Sequence, residues 1–114
     1  MTTIYKLCQA ALWREAEQAG VFAGSPIDRA DGYIHFSTAI QVAETAALYF
    51  RGENDLLLVA VDGARLGPAL RYEASRGGAL FPHLYSALPL SAVLWVRPLP
   101  VGADGSHHFP ELPL

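Results

Sequence analysis

The stretch GYIHFSTAIQVAETAALYF, residues 32–50, changes its hydrophobic period halfway along. In its first part, YIHFS, residues two apart share a face, as they do along a β-strand, so Ile34 and Phe36 are expected to face the core. The opposite face carries an aromatic ring, an imidazole and a hydroxyl group, from Tyr33, His35 and Ser37. This combination is typical of one wall of a polar cleft. The alternative interpretation is a buried structural histidine.

The second part of the stretch has the spacing of an amphipathic helix. We expect a helix over residues 38–50 whose buried stripe is Val42, Ala46, Tyr49 and Phe50. Thr38, followed three residues later by Gln41, fits a capping box, and Gly52 is the expected stop. Because a helix N-terminus favours anions, Ser37 and Thr38 are candidates for phosphate binding. The alternative is that Thr38 only caps the helix.

The remaining pattern predicts short strands and one further helix. Strands are expected at residues 2–8, 56–61, 70–73 and 91–99, and a helix at residues 9–19. The run LLLVAV, residues 56–61, should be buried on both faces. Residues 21–32 and 74–79 are expected to be loops. Strands and helices are unevenly mixed, which favours an α+β fold. We expect one compact domain over residues 1–114, with residues 99–114 as a surface C-terminal tail.

Composition excludes several classes of protein. The chain has 114 residues, of which 52% are hydrophobic and 17% charged, so it is not a disordered chain. Its net charge is −3 and its eight basic residues are scattered, which disfavours binding to a nucleic-acid duplex. Cys8 has no partner for an intramolecular disulfide, no signal peptide is evident, and no apolar run is long enough for a membrane span. We therefore expect a cytoplasmic protein that does not bind a membrane.

A second histidine motif lies in FPHLYSALPL, residues 81–90. Strand alternation would place Phe81, His83 and Tyr85 on one face. The chain thus carries the pattern aromatic-x-His-x-hydroxyl twice, and two such faces are suited to a flat heterocyclic ligand. A proline-kinked edge strand with Tyr85 half-buried is the alternative.

Glu73 is the best candidate carboxylate, because it ends an apolar strand and enters a glycine-containing loop. A carboxylate there is suited to accept a ribose hydroxyl or to act as a general base. The alternative is a surface glutamate paired with Arg71 or Arg76. The four histidines lack the spacing of a metal site, so no metal is expected. The sequence contains neither a phosphate-binding loop motif nor a dinucleotide-binding glycine motif.

The motifs DGYIHFSTA…QV and FPHLY…LPL…V, preceded by IYKL, resemble a bacterial family catalogued as domain of unknown function 952. The resemblance extends from the first strand to about Leu99. It implies a fold similar to that of ADP-ribosyltransferases, in which two small sheets, with two main helices, grip NAD between them.

The resemblance also implies roles for particular residues. Tyr5 and Lys6 on the first strand would form one side of the cleft, and Ser37 and Thr38 would match the end of the second conserved strand. The nicotinamide riboside, or an analogous ligand, would be gripped by His35, Glu73, His83 and Tyr85. The first strand lacks the arginine or histidine, and the late strand the glutamate, that such transferases use, so the shared fold does not carry the shared reaction.

Three hypotheses for the function follow. The leading one is a small protein that binds a nucleotide-like ligand, NAD or a related nucleotide, and acts on its glycosidic or phosphate bond. The alternative is a non-catalytic ligand-sensing or protein-interaction module, and the third is a histidine-based hydrolase. The candidate catalytic residues are His35, Glu73 and His83. The candidate ligand-binding residues are Tyr5, Lys6, Tyr33, Ser37, Thr38, Phe81 and Tyr85.

Overall fold

The computed structural model describes residues 2–113. Within them lie three α-helices, α1 (Ala10–Ala19), α2 (Pro26–Asp31) and α3 (Val42–Tyr49). The strands are β1 (Thr3–Gln9), β2 (Val21–Phe22), β3 (Ile34–His35), β4 (Leu56–Asp62), β5 (Leu70–Ala74), β6 (Leu80–Leu84), β7 (Leu88–Pro89) and β8 (Val93–Pro98). Short 3-10 turns lie at Gly63–Ala69, Arg76–Gly78 and Leu90–Ala92. The predicted α+β class is confirmed. None of these helices is long and apolar enough to cross a membrane.

The first sheet has three antiparallel strands in the order β1-β4-β8. The central strand β4 is apolar on both faces, and Leu58, Val59, Ala60 and Val61 are fully buried. A strand that is covered on both sides has no reason to alternate, which explains the unbroken run LLLVAV. The predicted strand at residues 56–61 and its burial on both faces are therefore confirmed.

The second sheet has three antiparallel strands in the order β3-β6-β5, and a two-stranded sheet pairs β2 with β7. In the second sheet, the register of β3 with β6 places His35 directly opposite His83. The first and second sheets meet at one point, where Tyr5 and Ser37 exchange both main-chain hydrogen bonds at 2.8 and 2.9 Å. Beyond this bridge β1 and β3 separate, and a gap opens between the sheets. The described chain thus contains three small sheets, where the sequence predicted two.

The two faces of the first sheet carry separate parts of the core. One part joins this sheet to α1 and to the second sheet, and includes Trp13, Phe22, Ile34, Phe36 and Leu84. The other part packs α3 on the opposite face, and includes Tyr5, Val42, Ala46, Leu58 and Leu99. Each fully buried aliphatic or aromatic side chain contributes about 1.5–3 kcal/mol to stability. Burial of Ile34 and Phe36 follows the predicted alternation.

Residues 21–32, predicted as a loop, contain β2 and α2. The helix α2 begins with a reciprocal capping box. The Asp28 main-chain N–H donates to Ser25 Oγ at 3.4 Å, and the Ser25 N–H donates to Asp28 Oδ2 at 2.9 Å. Pro26 occupies the first turn, where its missing N–H costs nothing. The prediction of a loop was therefore wrong in this region.

The helix predicted from residue 38 begins at Val42. Residues 39–41 form a turn before it, although half of the predicted capping box is present, because the Thr38 N–H donates to Gln41 Oε1 at 3.0 Å. Tyr49, predicted to be buried, is 64% exposed. The reason is that a helix of eight residues buries one narrow stripe, here Val42 and Ala46.

The C-terminal segment is attached to the core rather than lying wholly on the surface as predicted. Leu99 is buried, and Phe109 and Leu112 pack against the α3 side of the core. An isolated bridge joins Val101 to His107. This part of the chain covers apolar surface of the first sheet, because a three-stranded sheet leaves its outer face open unless another segment packs on it.

Candidate functional site

A cavity of about 660 Å³ lies where the first and second sheets separate beyond the bridge between Tyr5 and Ser37. One wall is the outer edge of β1, and the opposite wall comes from β3 and β6. The start of α2 and one side of α3 close the remaining sides. Volumes of this order accommodate ligands the size of a nucleotide or a drug molecule.

A buried carboxylate, Asp28, organises the histidine end of the cavity. It is 1% exposed and accepts hydrogen bonds from Lys6 Nζ at 2.9–3.0 Å, from His35 Nδ1 at 2.6 Å and from the His35 main-chain N–H at 3.1 Å. Burial alone would raise the pKa of the Asp28 carboxyl. The hydrogen bonds and the charge of Lys6 outweigh burial and hold this pKa well below its usual range.

Lys6 is almost completely buried, and its ammonium group is paired with Asp28. Burial lowers the pKa of Lys6, while the neighbouring carboxylate opposes that shift. Since the two charges compensate each other inside the protein, Lys6 brings little free positive charge into the cavity.

His35 lies between two carboxylates. Its Nδ1 is 2.6 Å from Asp28 Oδ1, and its Nε2 is 2.9 Å from Asp31 Oδ2. Ionised carboxylates only accept hydrogen bonds, so both bonds are made when both ring nitrogens carry a proton. A carboxylate oxygen thus lies at each ring nitrogen of His35, so neither nitrogen is open to a ligand.

His83 is arranged differently. Its Nδ1 is 2.9 Å from Glu73 Oε1, and the same oxygen accepts a hydrogen bond from the Tyr85 hydroxyl at 2.7 Å. The hydrogen bonds from Tyr85 and His83 lower the pKa of Glu73. The bond to Glu73 in turn raises the pKa of Tyr85. His83 is buried and lines the cavity, while Glu73 is placed behind it and is more exposed.

Aromatic rings join the two histidines. The Tyr33 ring stacks on His83 with centroids 4.1 Å apart and contacts His35 at 4.7 Å. Tyr85 lies 5.3 Å from Tyr33, and the Arg71 guanidinium lies over the Tyr85 ring at 5.1 Å. Tyr33 therefore fixes the orientation of both imidazoles from one side.

Arg76 forms part of the opposite end of the cavity. Its guanidinium lies 5.0 Å from the Phe81 ring and 5.9 Å from the Tyr49 ring, and donates to Thr45 Oγ1 at 3.2 Å. Its Nε is 3.3 Å from Glu44. The Glu44 carboxylate is exposed at the surface, so solvent screens this ion pair. Two aromatic faces and one guanidinium are thus gathered at this end.

Six of the residues predicted to bind or act on a ligand line the large cavity. These residues are Tyr5, Lys6, His35, Ser37, Phe81 and His83. Tyr33 and Tyr85 instead line a shallow second cavity of about 220 Å³ on the far side of the histidines. Glu73 is bonded to His83 and Tyr85, whereas the alternative paired it with Arg71 or Arg76.

Thr38 is not among the residues that line either described cavity. The helix begins four residues after it, and its main-chain N–H is already bonded to Gln41. The structure therefore gives no support to phosphate binding at Thr38. Its position favours the alternative of a residue that caps the turn before α3.

Asp28 and Asp31 are site residues that were not predicted from the sequence. Both belong to α2, whose only sequence signal is Ser25-Pro26 followed by an acidic residue at the third helical position.

Within residues 2–113 no group of three or more histidine, cysteine or acidic side chains is arranged to hold a metal ion.

These observations define an α+β protein with a cavity between two small sheets and two histidine–carboxylate pairs at one end. The chain belongs to the family described as Protein of unknown function (DUF952), which matches residues 7–96. The family resemblance predicted from the two histidine motifs is confirmed.

Solved structures of one bacterial protein are similar to this chain. The X-ray crystal structure of protein CC0527 from Caulobacter crescentus has a TM-score of 0.91 at 48% sequence identity, over 94% of each chain. Its solution NMR structure has a TM-score of 0.83 at 50% identity, over 93% of this chain and 91% of the other. No curated protein matches the chain.

Proposed function

We propose that the protein binds a nucleotide-like ligand, NAD or a related nucleotide, in the cavity between the two three-stranded sheets. The observation that carries this proposal is the cavity itself, in which aromatic faces, a free strand edge and a small set of charged groups converge. In this proposal the fold is of the ADP-ribosyltransferase type. Two small sheets with a ligand cleft between them are what the resemblance implies.

The edge of β1 supplies main-chain partners for a heterocycle. Because Tyr5 exchanges its main-chain bonds with Ser37, its N–H and C=O face away from β4. Along an antiparallel strand the main-chain groups of successive residues point to opposite sides, so the N–H and C=O of Leu7 face the same way as those of Tyr5. Leu7 also lines the cavity. A donor and an acceptor side by side match the edge of a carboxamide or a nucleobase.

The other end of the cavity is suited to a second ring. Tyr49, on α3, lines the cavity yet is exposed, so its ring is available to stack on a ligand without first leaving the core. Phe81 and the guanidinium of Arg76 lie beside it. In the proposed complex the adenine half of a dinucleotide occupies this end, and the histidine end takes the nicotinamide half.

Removal of the Tyr49 ring tests the proposal. We expect Tyr49→Ala to weaken NAD binding about fivefold, because loss of one aromatic stacking contact costs about 1 kcal/mol. Isothermal titration calorimetry with NAD, ADP-ribose and nicotinamide measures this effect. Nicotinamide, which lacks the adenine half, should bind equally well to the wild type and to this variant.

The matched control is Tyr72→Ala. Tyr72 is also partly exposed, but it lies on β5 and outside the residues that line the cavity. The Tyr72→Ala variant should bind NAD with wild-type affinity. Equal weakening by the two substitutions, or no heat of binding with any of these ligands at millimolar concentration, would contradict the proposal.

A further inference from the structure

We propose that His83 is a general base that activates water, so that the protein hydrolyses the bond between the sugar and the heterocycle of its ligand. This inference rests on the proposed binding of a nucleotide-like ligand and adds a reaction to it. In this scheme His83 is the catalytic residue, and Glu73 is a positioning residue that acts through it.

The hydrogen bonds of the His83 ring determine which nitrogen carries its proton. Glu73 Oε1 accepts from the Tyr85 hydroxyl at 2.7 Å and lies 2.9 Å from His83 Nδ1. An ionised carboxylate accepts but does not donate, so the proton of the neutral imidazole is on Nδ1 and the lone pair is on Nε2. Among residues 2–113 no side chain or main-chain group is bonded to His83 Nε2.

The contrast with His35 assigns the two histidines different roles. The ring centroids are 5.8 Å apart, and both rings line the same cavity. His35 has a carboxylate oxygen at each ring nitrogen, so neither nitrogen is open to a water molecule. His83 has such a partner at Nδ1 only, and its Nε2 is open. The oriented base in this cavity is therefore His83.

The charges around the two rings favour one class of reaction. Asp31 lies at His35 Nε2, and Glu73 lies at His83 Nδ1, while the nearest buried cation, Lys6, is neutralised by Asp28. Surplus carboxylates oppose an anionic phosphoryl group at this position. They stabilise the positive charge that develops on the sugar carbon during cleavage of a glycosidic bond.

The reaction balances without another reagent. A water proton passes to His83 Nε2 while the water oxygen bonds to the anomeric carbon. The bond from that carbon to the ring nitrogen breaks, and its electron pair leaves with the heterocycle. A pyridinium-type ring thereby departs as a neutral molecule, the sugar gains a hydroxyl group, and His83 releases its proton to solvent.

The test measures nicotinamide release from NAD by chromatography, with NAD binding measured on the same preparations by calorimetry. His83→Asn keeps an amide N–H in place of Nδ1–H, and so keeps the donor to Glu73, but removes Nε2. We expect this variant to lose about 100-fold or more in kcat while it binds NAD within about threefold of wild type. His108→Asn is the matched control, because His108 is exposed and lies outside the cavity lining.

Glu73→Gln tests the positioning role. It should lower kcat about tenfold with KM unchanged, since an amide no longer fixes the proton on Nδ1. Long-range nitrogen–proton NMR spectra of the ligand-free wild type should show His83 protonated on Nδ1 only, and His83 of Glu73→Gln should show a mixture of tautomers. A purely structural glutamate would alter stability without changing the tautomer.

Each result decides between the two proposals. Binding of NAD without nicotinamide release, or release that His83→Asn leaves intact, overturns the hydrolysis and leaves the proposed binding standing. A proton on Nε2 of His83 in the NMR spectra overturns it as well. Failure of the wild type to bind NAD removes the proposed function and this inference together.

Discussion

Asp28 joins three elements of the fold at one carboxylate. Lys6 comes from β1, Ser25 from the start of α2 and His35 from β3, and all three donate to it. The Asp28 side chain is almost completely buried, so its charge is tolerated only because these partners replace water. No spacing rule in the sequence brings Lys6 and Asp28 together, which is why the sequence analysis did not find this contact.

Asp28→Asn should destabilise the protein by roughly 3–5 kcal/mol at neutral pH, because it leaves the Lys6 charge buried without a counter-ion. Chemical unfolding in urea measures this change. The control is Asp31→Asn, whose carboxylate is 42% exposed and contacts His35 at the surface, so it should cost less than about 1 kcal/mol. A cost below about 1 kcal/mol for Asp28→Asn would contradict the assigned role.

The stability of the wild type and that of Asp28→Asn should respond differently to acid. The pKa of Asp28 is lower in the folded protein than in the unfolded chain, so the stabilisation that it gives is fully present above the unfolded value of about 4. This stabilisation is lost as the pH falls below that value. The free energy of unfolding of the wild type should therefore drop more steeply than that of Asp28→Asn when the pH is lowered from 5 to 3. Parallel slopes would mean that folding does not lower the pKa of Asp28, which would contradict this account.

The long elements are the ones that the sequence predicted well. The helix α1 lies at Ala10–Ala19, within a residue of its predicted bounds, and it ends at Gly20 in the left-handed conformation as its sequence signal indicates. The strand β4 was found from its unbroken apolar run. The helix is long enough to show its hydrophobic period, and the apolar run of β4 has the length of a buried strand.

The short helix α2 and the pairing of the short strand β3 were harder to predict for physical reasons. The helix α2 has six residues and too few turns to show a period, so its existence depends on its cap and on the bonds of Asp28. The strand β3 has two residues, and its register with β6 is set by long-range packing. The sequence therefore identified both histidines and Glu73, the partner of His83. The carboxylate partners of His35, Asp28 and Asp31, became evident only in the structure.

The cap of α2 can be tested alone. Ser25→Ala removes the hydroxyl that accepts from the Asp28 N–H, and we expect a loss of about 1 kcal/mol of stability. Ser91→Ala, an exposed serine in a turn with no described side-chain bond, should be neutral within about 0.5 kcal/mol. Thermal unfolding followed by circular dichroism compares them. Equal melting temperatures for the two variants would show that the capping box does not stabilise α2.

At the scale of the whole molecule, the contact between the two three-stranded sheets determines where the cavity lies. They share one bridge, between Tyr5 and Ser37, and beyond it each strand edge remains open toward the cavity. A sheet edge that faces a cavity leaves main-chain donors and acceptors for a ligand to satisfy. The Caulobacter protein, at 48% identity and a TM-score of 0.91, has a similar fold.

Titration of isotopically labelled protein with NAD, followed by two-dimensional NMR, tests the proposed site most directly. The proposal predicts chemical-shift changes on the cavity side, at Leu7 on the β1 edge, at His35 and His83, and at Tyr49 and Arg76. Changes confined to the shallow cavity of Tyr33 and Tyr85, or no changes at millimolar NAD, would contradict it.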